Sequence, residues 1–218
     1  MILKFCGFKT EEDIQKVNSL NIDMVGFIHY PKSKRHVDIN QINRMSLLIA
    51  NNIEKVVVVV NPTFQKVKDL VENTTINTIQ FHGKESSKFI KNIKINFKNI
   101  KTIKALPANN KIEETMELYK DVVDLFIIDT PSTQYGGTGE SFDWSLLNHI
   151  NIKVPYLIAG GINANKIIQI EKMGLKHAGY DISSGIEIAG DKDKNKMITI
   201  IKLVKGALKD EKNTNRSW

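Results

Sequence analysis

The chain has a single cysteine, Cys6, so it can close no internal disulfide, and a reducing compartment suits that composition. No stretch reaches the roughly 18 apolar residues needed to span a bilayer, and the apolar part of the opening MILKFCGFKT is too short for a secretory signal. Neither HExxH nor CxxC occurs and the histidines are scattered, which leaves a metal site without support. GxxxxGK[ST] and GxSxG are missing too, which counts against nucleotide hydrolysis and a serine nucleophile. No long Pro/Gly/Ser linker divides the 218 residues. The expectation is one cytoplasmic domain over 1–208 with a polar tail at 209–218, monomeric, with no nucleic acid, membrane or metal partner.

Charge is plentiful but mixed: 31 basic residues stand among 24 acidic ones, for a net +7. A solvated, lysine-rich exterior explains this, and the same balance attracts a substrate bearing phosphate and carboxylate. A non-enzymatic protein that binds polyanions through this surface is the rival reading, and it expects salt-sensitive binding.

Short apolar runs alternate with segments of helical spacing. The runs fall at 2–6, 24–29, 55–60, 77–82, 100–106, 123–129, 154–160 and 178–184, and several are apolar throughout, as parallel strands covered on both faces must be. Helical signals lie near 10–20, 39–51, 85–92, 112–120, 143–149, 163–173 and 193–209. A further helix follows Asn61, Pro62 and Thr63, with Phe64, Val67, Leu70 and Val71 on its sheet-facing side. Alternation over the whole length predicts an α/β protein, either an open doubly wound sheet or a closed (β/α)8 TIM barrel, which needs roughly 200–250 residues.

The stretch VPYLIAGGINANKIIQI at 154–170 reads as strand, glycine turn and helix, and HAGYDISSGIE at 177–187 as a strand ending in small hydroxyls. Gly160 and Gly161 let backbone approach an anion, amides at the following helix start add a favourable dipole, and Ser183, Ser184 and Gly185 form a second wall. In a barrel the loops after strands seven and eight hold phosphate.

On those strand assignments Cys6, His82, Asp129, Gly160 and Ser183 all sit at carboxyl ends of strands and converge on one face. Cys6 reads either as a small buried hydrophobe or as a thiolate base whose pKa the nearby phosphate-binding amides lower. Asp129 reads as a partly desolvated general acid or as a loop cap. Arg35, in the basic loop at 28–38, offers a planar fork for a carboxylate or is a solvated cation. His82 is a ligand or proton donor, or a structural histidine. The glycine-rich TQYGGTGESFDW at 133–144, with Asp143 as a possible helix cap, is a lid or a flexible connector.

The ordered set LKFCG, QFHG, IDT, GGTGESFDW, IAGGI and DISSGIE resembles phosphoribosylanthranilate isomerase of tryptophan biosynthesis from Leu3 to about Leu208. The resemblance implies a (β/α)8 barrel without cofactor or metal. It implies the Amadori rearrangement of N-(5-phosphoribosyl)anthranilate to 1-(2-carboxyphenylamino)-1-deoxyribulose 5-phosphate. By the same match Asp129 is the general acid and Cys6 the general base. Arg35 holds the anthranilate carboxylate, Gly160, Gly161, Ser183 and Ser184 hold the phosphate, and His82 and Asp181 lie at the substrate. The chain departs from the family in KFCGFK, where KICGIT is commoner, in the five valines of strand three, and in AGDKDKNK at 189–196, which lacks the usual SPG. Another phosphosugar isomerase or epimerase on the same barrel is the enzyme alternative; the histidine-pathway relative uses paired aspartates, whereas strand one here ends in Cys6.

Overall fold

The computed structural model describes residues 1–129 and 144–206. The glycine-rich segment with Asp143, and the tail at 209–218, lie outside the described residues.

Eight parallel strands close into a barrel in chain order. They are β1 (Ile2–Cys6), β2 (Met24–Ile28), β3 (Glu54–Val59), β4 (Thr78–Phe81), β5 (Lys101–Pro107), β6 (Leu125–Asp129), β7 (Tyr156–Ala159) and β8 (Gly179–Ile182). The ring closes where β8 pairs with β1, setting Lys4 opposite Asp181. The seam needs Gly179, at φ +153°: a β-carbon there would lie 1.8 Å from the carbonyl oxygen of Ile2.

Strand alternation builds two cores. One parity points outward to meet the helices, and Leu3, Phe5, Phe27, Val57, Phe81 and Phe126 are fully buried there. The other fills the barrel with Met24, Val56, Ile103, Ala105, Leu125, Ile127, Leu157 and Ala159. Each large side chain so covered stabilises the fold by about 1.5–3 kcal/mol. The valines of β3 divide between the two, Val56 inward and Val57 outward.

The helices are α1 (Glu11–Val17), α2 (Ile39–Leu48), α3 (Phe64–Asn73), α4 (Ser87–Asn96), α5 (Ile112–Glu117), α6 (Ala164–Glu171) and α7 (Lys194–Ile201). Thr10 caps α1, its hydroxyl accepting from Asp13 N at 3.2 Å, and Thr63 caps α3 in the same way. Val67 and Leu70 are buried, with Phe64 and Val71 partly buried against the same core. The helix expected at 143–149 is a single 3-10 turn, Trp144–Leu147.

The chain after β8 departs from the expected strand-to-helix passage. A 3-10 turn (Ser184–Ile186) leads into a two-stranded ribbon, β9 (Glu187–Ile188) and β10 (Asp191–Lys192). Ala189 (φ +51°) and Gly190 (φ +93°) make its tight turn, with the positive φ values that two-residue hairpin turns require.

Candidate active site

Cys6 ends β1 and points into the barrel mouth over β2. Gly26 makes room for it, since a β-carbon at that position would lie 2.7 Å from the sulfur. Two residues earlier on the same strand face, the fully buried Lys4 ammonium donates to Asp181 Oδ1 at 2.9 Å. Burial acts to lower the Lys4 pKa, but Asp181 and Cys6 outweigh it and hold the ammonium above its ordinary value.

The thiol's environment corrects one sequence expectation. Burial raises the Cys6 pKa above its ordinary 9.0, Asp181 adds to this, and the opposing charges of Lys4 and Lys192 do not overcome it. Nearby amides therefore do not set the balance at this sulfur, because desolvation of an anion in a 6% exposed position is the larger effect.

Gly7, at φ +82°, is the meeting point of three segments. A β-carbon on it would lie 2.5 Å from Arg35 Cδ and 2.9 Å from Ser183 Oγ. The thiol strand, the basic loop after β2 and the loop after β8 thus touch at one glycine. Arg35 is held there by Glu187, through Nε at 2.8 Å and Nη2 at 2.6 Å. Lys192, buried in β10, donates to Glu187 Oε1 at 2.7 Å, to the Cys6 carbonyl at 2.6 Å and to the Ser183 carbonyl at 3.2 Å. Burial acts to raise the Glu187 pKa, but hydrogen bonds and charge from Arg35 and Lys192 bring it down to about 2, so it is a carboxylate at neutral pH.

Gly160 (φ +92°) and Gly161 (φ +62°) turn the chain after β7 in a conformation side chains disfavour. That turn lies against the loop after β8, where a β-carbon on Gly185 would come within 1.9 Å of Ile162 O. Ser183 Oγ, beside Gly7, is buried without a hydrogen-bond partner, and Ser184 opens the 3-10 turn. Asn163 caps α6, its side chain accepting from Lys166 N at 3.0 Å.

Asp129 ends β6, away from β1 in the ring. Its carboxylate Oδ2 lies 3.4 Å from His82 Nε2, and His82 Nδ1 lies 3.2 Å from Gln80 Nε2. The Asp129 side chain is 43% exposed, which is the partial burial expected of it, and its contact with His82 was not foreseen. Strand ends that carry such groups stay open because they belong to the mouth rather than the core.

Sequence reasoning passed over Lys4, Gln80, Glu187 and Lys192. Alternation along β1 and β4 was signal enough for Lys4 and Gln80, which share strand faces with Cys6 and His82. Lys192 carries no such signal, since it stands in a charge run that reads as solvated. Among the described residues no group of three or more His, Cys, Asp or Glu is placed to hold a metal ion, and no helix is long and apolar enough to cross a membrane.

Fold and mouth together define a β/α-barrel enzyme that works at the carboxyl ends of its strands. The family model for N-(5'-phosphoribosyl)anthranilate (PRA) isomerase matches residues 3–203, and the chain belongs to that family. An N-(5'-phosphoribosyl)anthranilate isomerase of Staphylococcus haemolyticus (strain JCSC1435) is 59% identical over 95% of this chain and 100% of its own length. Among solved structures, phosphoribosyl anthranilate isomerase from Thermotoga maritima is similar at a TM-score of 0.82 and 30% identity, over 94% of this chain and 100% of that one. Another, in complex with reduced 1-(o-carboxyphenylamino)-1-deoxyribulose 5-phosphate, is similar at a TM-score of 0.79 and 28% identity, with the same shares covered.

Proposed function

We infer that the chain catalyses the Amadori rearrangement of N-(5-phosphoribosyl)anthranilate to 1-(2-carboxyphenylamino)-1-deoxyribulose 5-phosphate, an isomerase step of tryptophan biosynthesis. The observation that carries this reading is the junction at Gly7, which sets the thiol strand, a carboxylate-binding fork and a hydroxyl wall side by side. The substrate presents a carboxylate at one end and a phosphate at the other, with the C–H bond to be broken between them.

In this reading the phosphate lies between the Gly160–Gly161 turn and Ser183–Ser184, where the buried, unpartnered Ser183 hydroxyl has capacity to spare. Arg35 takes the anthranilate carboxylate end-on. Both contacts are remote from the bond changes and orient the sugar for them. Asp129 gives its proton to the furanose ring oxygen, and the C1–O bond breaks to leave an open-chain Schiff base protonated at nitrogen. His82 Nε2–H then steadies the carboxylate that forms.

Cys6 as thiolate takes the proton from sugar C2, and the C–H electron pair becomes the C1–C2 double bond while the nitrogen is neutralised. The enolamine gains a proton at C1 and loses one from the C2 hydroxyl, giving the ketone. Burial works against a thiolate at Cys6, and two features support it: the Lys4 ammonium on the same strand face, and the positive nitrogen that ring opening creates, which makes the C2 hydrogen acidic. Asp181, paired to Lys4, keeps that ammonium charged and in place. We take the working unit to be a monomer, since every residue used here comes from one chain, and the compartment to be the cytoplasm, where a phosphorylated substrate that does not cross membranes is retained.

The test is the loss of phosphoribosylanthranilate fluorescence on adding the purified protein, with the unstable substrate generated in situ. Rapid, enzyme-dependent loss is expected. A folded wild-type protein that leaves the signal untouched would move the reading to another phosphosugar.

A further inference from the structure

We propose that Glu187 is a positioning residue for carboxylate recognition: it grips Arg35 by one edge so that the other edge faces the mouth. The proposal rests on the reading above, in which Arg35 receives the substrate carboxylate.

A guanidinium has five N–H donors in one plane. Glu187 engages Nε and Nη2 side-on, at 2.8 and 2.6 Å, and leaves the Nη1 pair and the second Nη2 hydrogen for an end-on partner. The stem of Arg35 rests against Gly7, whose missing side chain is what allows the approach. Unheld, an arginine on a surface loop must give up considerable rotamer freedom on binding, and that freedom is already spent here.

The grip is itself anchored. Lys192 donates to the same Glu187 oxygen that meets Arg35 Nε, and it donates as well to the carbonyls of Cys6 and Ser183. One ammonium therefore fixes the carboxylate receptor relative to the backbone of the thiol and of the hydroxyl wall. Two cations against one carboxylate leave the trio with a net positive charge, so Glu187 orients Arg35 without cancelling its attraction for an anion.

The experiment compares binding of reduced 1-(2-carboxyphenylamino)-1-deoxyribulose 5-phosphate with that of its phenylamino counterpart lacking the carboxylate. Calorimetry on the wild type, Arg35→Met and Glu187→Gln gives each protein's preference for the carboxylated ligand. Arg35→Met should abolish the preference, and Glu187→Gln should cut it about ten-fold or more while affinity for the carboxyl-free ligand stays near that of the wild type. Retention of the full preference by Glu187→Gln, with its loss in Arg35→Met, would overturn the proposal alone. Retention in Arg35→Met would overturn the underlying reading. Should Glu187→Gln fail to fold, Glu187→Asp keeps the charge against Lys192 but is one methylene too short for the two-point grip, and the same loss is expected.

Discussion

Removing the Glu85 carboxylate should cost the barrel about 3–5 kcal/mol, as breaking a buried ion pair from one side does. Glu85 and Lys104 are each only 2% exposed in their side chains and meet at 3.1 Å. Glu85 also accepts from Asn61 N at 2.7 Å and from Gly83 N at 3.1 and 3.0 Å, which ties the loop after β3 to the loop after β4. Lys104 donates as well to Gly83 O at 2.7 Å and Phe81 O at 3.3 Å. Glu85→Ala therefore strands a buried ammonium on two carbonyls and leaves two amides without their acceptor. Lys104→Met leaves the carboxylate both of its amide donors, so it should cost less, about 1–3 kcal/mol. The pair should be coupled, with the double variant about 2 kcal/mol more stable than the sum of the singles implies. Equilibrium urea unfolding followed by circular dichroism reads this directly; with a slope of about 2–3 kcal/mol per molar, Glu85→Ala should unfold about 1.5 M earlier. A loss below about 1 kcal/mol, or strict additivity, would refute the reasoning that this pair holds the two loops.

Three further outcomes are expected. Gly185→Ala forces apart the two loops proposed to hold the phosphate, because its β-carbon would meet backbone at Ile162 rather than a side chain that can turn away; KM should rise about ten-fold or more, and inorganic phosphate should weaken as an inhibitor in parallel. Cys6, the only thiol, should react with iodoacetamide with a pH midpoint above 9.0, and Lys4→Met should raise it further, since the charge lost favours the thiolate and the Asp181 left behind opposes it. Glu187, depressed from 4.5 to about 2, contributes stability that is complete above its unfolded pKa and lost as pH falls through its folded one; Glu187→Gln should flatten acid unfolding between those two values.

Much of the architecture was legible because parallel strands covered on both faces leave continuous apolar runs, and all eight stand where those runs do. Thr63 announced its helix by local chemistry, and its hydroxyl caps α3. The ribbon of β9 and β10 was not legible, since two-residue strands carry no periodicity, and Gly190 alone hinted at its turn. The positions of the candidate site residues followed from the strand ends, but their environments did not. Whether Cys6 is desolvated, Asp129 half-buried or Lys192 buried depends on what other segments pack against them. Glu187 shows the same limit: it stood in a quoted motif, yet its partners Arg35 and Lys192 approach from other elements.

Cys6 and Asp129, as base and acid of one rearrangement, are tested by kcat for Cys6→Ser and Asp129→Asn in the fluorescence assay, beside the affinity of each variant for the reduced product analogue. Each variant should bind the analogue as the wild type does and lose about 100-fold or more in kcat, the contribution of a positioned proton-transfer group. A folded variant of either kind that turns over within about three-fold of wild type would contradict the account.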